Sequence, residues 1–67
     1  MDISVNQQAQ TVADNCSLQQ LLQILLPQNQ NGIAIAVNNA IVPKPSWAEH
    51  LLHPNDSVTI IRATQGG

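Results

Sequence analysis

Sixty-seven residues, 43% of them hydrophobic, supply one small core and exclude a second. One cysteine rules out an internal disulfide, and no Cys/His cluster has the spacing of a structural zinc site. Two basic and four acidic residues leave a net charge of −2, too little positive charge to neutralise a run of phosphates; nucleic-acid binding is excluded.

The apolar material is almost wholly aliphatic, with Trp47 the single aromatic side chain. Ile3 and Val5 alternate with Asp2, Ser4 and Asn6, the period of a half-buried strand. Asn6-Gln7-Gln8 predicts a turn, and a weaker strand from Ala9 to Ala13, with Val12 inward, completes an N-terminal hairpin. Ser17 then opens a helix. Leu18, Leu21, Leu22 and Leu25 form one apolar stripe while Gln19, Gln20 and Gln23 face away. Ser17 and Gln20 match a capping box, Cys16 and Leu21 occupy the two positions of a hydrophobic staple, and Pro27 ends the helix.

Gln28 to Gly32 is a polar connection. Ile33 to Val37 reads as a strand with Ile33, Ile35 and Val37 on one face and two alanines on the other. Asn38-Asn39 tolerates the positive φ of a two-residue hairpin turn, and Ala40-Ile41-Val42 returns as a short strand stopped by Pro43 and Pro45. Ser46 is expected to cap a helical turn running through Leu51, His53 to Asp56 is a turn cluster, and Val58 to Arg62 is the last strand. One striped helix covers one face of one sheet. The fold class is therefore α+β: a mixed sheet of four to five strands packed on one main helix. The chain reads as one domain, residues 1–67, with a flexible C-terminal arm at 63–67.

No apolar run approaches the roughly 18 residues that cross a bilayer. The first residues lack the basic start and apolar stretch of a signal peptide, and a lone free cysteine suits a reducing compartment, so the cytosol is expected.

Few groups offer chemistry. Cys16 precedes a helix start, which lowers a thiol pKa, but no basic group is near it in sequence and it fits the staple equally well. Glu49, His50 and His53 are too few for a metal site and read as a surface turn, so no metal is expected. Asp2, Asp14, Glu49 and Asp56 are scattered singly, with no acid–base pair, and Gly32 stands alone, with no phosphate-cradling loop. The remaining feature is Gly66-Gly67, three residues beyond the last strand's approach to the end. Glycine-tipped arms pass narrow channels because no side chain blocks them, and a terminal carboxylate is ionised at pH 7 and nucleophilic toward ATP.

At this point the sequence resembles the ThiS-type sulfur carriers of thiamine biosynthesis, a family of the β-grasp, ubiquitin-like class, over essentially the whole chain. The likeness rests on Asn6 closing the first strand, the Ser17-Leu18-Gln19-Gln20-Leu21-Leu22 helix start, and Ile35-Ala36-Val37-Asn38. It continues through Ile41-Val42-Pro43-Lys44, Trp47, Asp56-Ser57-Val58 and the final Gly66-Gly67. Lys44 stands where the family often has Arg, and Asn55 where Gly is usual.

The resemblance implies a β-grasp sheet with the first and last strands adjacent and parallel and the 17–26 helix across it. The core is then expected from Ile3, Val5, Leu18, Leu21, Leu22, Leu25, Ile35, Val58 and Ile60. It also implies a protein co-substrate rather than an enzyme. An adenylating, E1-like enzyme would use ATP on the Gly67 carboxylate, a cysteine desulfurase system would supply persulfide sulfur, and thiazole synthase would consume the thiocarboxylate. Thr64, Gln65 and Gly66 would enter the partner's active site, and no cofactor is implied on this chain. Ile61 and Ala63, pointing away from the helix, are candidates for partner docking. Three other readings share the fold: the small subunit of molybdopterin synthase, which usually carries a fuller helical insert, a ubiquitin-like modifier, and a β-grasp binding module with no chemistry.

Overall fold

In the computed structural model, which describes residues 1–27 and 32–62, chain order follows the pattern of apolar residues closely. Strand β1 (Asp2–Val5) buries Ile3 and Val5, turns at Asn6 and Gln7, and returns as β2 (Gln8–Thr11). Both turn residues have positive φ, 49° and 69°, the backbone that matches strand twist in a two-residue hairpin. The second strand thus opens at Gln8, inside the expected turn, and stops at Thr11 rather than Ala13. Its partner is the reason: Asp2 is the first residue of β1 and pairs with Thr11. Val12 leaves the strand, yet its N–H donates to the Met1 carbonyl (2.9 Å) and its side chain packs against the core.

Helix α1 (Leu18–Leu25) is shorter than 17–26 because Ser17 and Leu26 are its caps. All four donors at its start are used. Ser17 N–H donates to Gln20 Oε1 (2.9 Å) and Gln20 N–H to Ser17 Oγ (3.1 Å), the reciprocal capping box. Leu18 and Gln19 N–H donate to the carbonyls of His50 (2.9 Å) and Trp47 (3.1 Å). Helix starts leave these groups unpaired unless something reaches them. Here a distant loop does, and that fixes where the loop must lie.

Strands β3 (Ile33–Val37) and β4 (Ala40–Val42) form a second hairpin through Asn38 and Asn39, at φ 52° and 68°. The helical turn after Pro43 begins earlier than Ser46: a 3-10 turn spans Lys44–Ser46, with Pro45 inside it and no side-chain cap. Proline's fixed φ suits the first turn of a helix, where its missing N–H costs nothing. Ser46 therefore lies within the turn, and its carbonyl accepts from Glu49 (3.1 Å) and His50 (2.9 Å) N–H.

Strand β5 (Ser57–Arg62) closes a five-stranded sheet in the order β2-β1-β5-β3-β4. β1 and β5 are parallel and every other pair is antiparallel, so the first and last strands are adjacent at the centre. Leu18, Leu21 and Leu22 pack with Ile3, Val5, Ile35 and Val58 as expected. Leu25 and Ile60 are only partly buried, since both sit toward the open end of the sheet, where an exposed groove begins. Val37, Val42, Trp47 and Leu52 complete the core. Trp47 is 1% exposed, and its indole N–H donates to the Val42 carbonyl (2.8 Å).

Leu22 is fully buried. Leu22→Ala should lower the unfolding free energy by about 2–5 kcal/mol, and Ser17→Ala by about 1 kcal/mol through loss of the cap. Urea titration followed by tryptophan fluorescence measures both; an unchanged midpoint for Leu22→Ala contradicts the packing.

Candidate functional site

The residues assigned to the chemistry, Thr64, Gln65, Gly66 and Gly67, and the docking candidate Ala63 lie outside the described residues; the site is the strand end that precedes them. β5 is secured where it begins. Asp56, 8% exposed, accepts from Asn38 Nδ2 (3.0 Å) and from His53 N–H (2.8 Å), so each carboxylate oxygen has a donor. Burial of a carboxylate is tolerable only with such partners. Asn38 completes the clip: its Oδ1 accepts from Ser57 N–H (2.9 Å) and its own N–H donates to the Ser57 carbonyl (2.8 Å). The β3–β4 turn is thereby tied to the first residue of β5. His53 Nδ1 stands 3.9 Å from Asp56 Oδ2 on a solvent-facing ring, a pair that adds little.

Along β5 the side chains alternate. Val58 is buried and Ile60 half-buried on the helix side; Thr59 and Ile61 are exposed on the other. Ile61 is 49% exposed and pairs with Ala34, while Thr59 pairs with Ala36, which in turn pairs with Ile41 (65% exposed) on β4. Ile41, Ala34 and Ile61 thus form an exposed, uncharged apolar stripe on the sheet face opposite the helix, with Ala36 (7% exposed) covered between them. On the helix side, an open groove of about 430 Å³ runs past Val5, Leu25, Leu26 and Ile60, with Asn6 and Arg62 among its polar lining. The Asn6 side chain reaches across the strand end: Ile60 N–H donates to its Oδ1 (2.8 Å).

The other candidates stay apart from this strand end. Cys16 is 5% exposed and its thiol donates to the Ser17 carbonyl (3.4 Å), while Leu21, its partner in the staple, is also buried. Among the described residues, no three His, Cys, Asp or Glu side chains gather closely enough to hold a metal ion. Sequence reasoning missed the Asn38–Asp56 clip, the Asn6 side chain and the outward Ile41. The first two carried a signal, an Asn at each hairpin turn able to adopt positive φ, but a turn pattern does not say what the side chain reaches. Ile41 sits in a three-residue strand, too short for alternation to be read.

The ThiS family model matches residues 2–67. The chain is 36% identical to the sulfur carrier protein ThiS of Escherichia coli (strain K12) over 67 residues, covering 100% of both. A crystal structure of the thiamine biosynthesis protein (ThiS) from Geobacter metallireducens superposes with a TM-score of 0.87 at 20% identity, covering 100% of each chain. The solution structure of a thiamine biosynthesis protein from the same organism gives 0.78 at 21% identity, covering 100% of this chain and 88% of that one. Identities this low speak to fold alone, and the fold is β-grasp.

Burial makes Cys16 a packing residue. In the native protein it should react with DTNB at least about tenfold more slowly than in the urea-unfolded chain, because a covered thiol is out of the reagent's reach. Equal rates would return Cys16 to the list of reactive groups.

Proposed function

The chain belongs to the ThiS family, and from that premise we propose that it is a sulfur carrier of thiamine biosynthesis, a protein co-substrate rather than a catalyst. The observation that carries the reading is the end-to-end 36% identity with the Escherichia coli sulfur carrier. The reactive group is the carboxylate of Gly67. A carboxylate resists attack by sulfur until one of its oxygens becomes a leaving group. An adenylating, E1-like enzyme supplies that: the carboxylate attacks the α-phosphorus of ATP, pyrophosphate departs and an acyl-adenylate remains. The terminal sulfur of a persulfide, generated by a cysteine desulfurase system, displaces AMP, and a thiol reduces the resulting acyl disulfide to a thiocarboxylate. Thiazole synthase then takes that sulfur into the thiazole ring.

In this reading Thr64, Gln65 and Gly66 thread into each partner's active site, where glycine passes a channel that a side chain would block. The exposed Ile41, Ala34 and Ile61 form the docking face in this reading, and Ala63, the other docking candidate, lies outside the described residues. With six charged residues in the chain, recognition rests on apolar contact more than on steering. ATP belongs to the activating enzyme, this chain carries no cofactor of its own, and the cytosol is the proposed compartment. Among the described residues no helix is long and apolar enough to cross a membrane.

Reconstitution tests this. Given ATP, the adenylating enzyme and a persulfide source, the intact protein should exchange one oxygen for sulfur. Deleting Gly66 and Gly67, or adding one residue after Gly67, should abolish the exchange and leave the circular dichroism unchanged; Cys16→Ser should behave as the parent. Exchange that persists after the deletion sinks the reading. Ile61→Asp should bind the adenylating enzyme at least about fivefold more weakly at equal stability, since a charge then enters an apolar contact; equal binding removes Ile61 from the docking face.

A further inference from the structure

β1 and β5 pair directly only at Ser4–Ser57 and Val5–Val58. In a parallel ladder, one strand donates an N–H and accepts two residues further along its partner, in a regular slanted series. The donating rungs are in place: Ser4 N–H to the Asp56 carbonyl and Asn6 N–H to the Val58 carbonyl, both 2.9 Å. The next rung due is from Ile60 N–H to the main-chain carbonyl of Asn6. Asn6 instead turns the chain into β2, at φ 49°. Ile60 N–H donates at 2.8 Å to Asn6 Oδ1. The side-chain amide supplies the rung that the turning main chain gives up.

That bond has a particular location. Beyond Val58, β5 is held by β3 through four further pairs, Ala36–Thr59 to Ile33–Arg62, while on the β1 side its pairing has already ended. A strand held along one margin twists about that margin; the Asn6 bond adds the second point of support, two residues before Arg62. Gly67 is the fifth residue after Arg62, at most about 17 Å of extended chain away.

Resting on the carrier reading above, we propose that Asn6 is a positioning residue for sulfur loading: its side chain holds the end of β5, Ile60 to Arg62, against β1, so that the adenylating enzyme meets an ordered strand end. Ordering the strand end in the free protein spares that cost when the arm enters the adenylating site. The effect belongs in KM for the carrier, because once the arm is seated the reacting atoms are the same.

Two variants separate this from general stability. Asn6→Gly keeps the positive φ and loses the acceptor; Asn6→Asp keeps both, since Asp also tolerates the left-handed region. Amide hydrogen exchange, read by NMR on the carrier alone, should be faster at Ile60 in Asn6→Gly and parental in Asn6→Asp. In ATP–pyrophosphate exchange with the adenylating enzyme of the source organism, Asn6→Gly should raise the carrier KM about fivefold with kcat within about twofold, and Asn6→Asp should restore KM, in line with the worth of one hydrogen bond. Unchanged KM alongside faster Ile60 exchange overturns the positioning role and leaves the carrier reading intact. Unaltered Ile60 exchange in Asn6→Gly, or a raised KM in Asn6→Asp despite a protected Ile60, overturns it as well. A parent protein that supports no pyrophosphate exchange at all counts against the carrier reading itself, and the positioning role falls with it.

Discussion

The parallel pairing of β1 with β5 is the constraint on which the rest depends. It joins Ser4 and Val5 to Ser57 and Val58 across more than fifty residues and fuses two local hairpins into one sheet. Closing so long a loop is entropically unfavourable, and two residue pairs do not offset that alone. Burial does: Ile3, Val5 and Val58 lie under Leu18, Leu21 and Leu22, and each such side chain removed from water contributes about 1.5–3 kcal/mol. The helix therefore holds the central strands together, and the central strands decide where the chain's last segment begins. Because β5 lies between β1 and β3, that segment follows a strand tied into the middle of the sheet rather than one at an edge.

How legible this was differed from element to element, for physical reasons. The helix could be read almost to the residue, because Leu18, Leu21, Leu22 and Leu25 set its face and Ser17 with Gln20 set its start. The Asn38-Asn39 turn and the strands beside it were legible because positive φ is demanded there and few residues accept it. Trp47 was not. It lies in a stretch without periodicity, and it is buried because its own carbonyl and that of His50 satisfy the first donors of a helix thirty residues earlier. The same gap hid Leu52, whose N–H donates to the Cys16 carbonyl (2.8 Å). Local patterns carry strand and helix; they do not carry which loop will satisfy which helix end. At the candidate site, the outward face of β5 followed from its period of two, whereas the Asn6 bond to Ile60 needed the register of two strands far apart in sequence.

The described residues and the proposed chemistry divide cleanly. Polar side chains at the sheet's end, Asn6, Asn38 and Asp56, are spent on holding β5 in place. The one thiol, Cys16, is buried at the start of the helix and committed to packing. What remains on the surface near β5 is an apolar stripe and, on the other side, a groove past Arg62. In the proposed function such a molecule presents a shape and an address, and the reacting group is the Gly67 carboxylate. Rigid support matters in that proposal because a partner enzyme would then meet the sheet face and the end of β5 in a fixed relation to one another.

The central claim is that sulfur travels on the carboxylate of Gly67 and on no other group. Fragmentation of the intact protein in a mass spectrometer, after isolation from cells, tests this most directly. The account predicts that the sulfur-for-oxygen exchange appears in every fragment containing Gly67 and in none that ends before it. Added sulfur on fragments containing Cys16, with an unmodified C-terminal fragment, would contradict the account and make the protein a persulfide carrier instead.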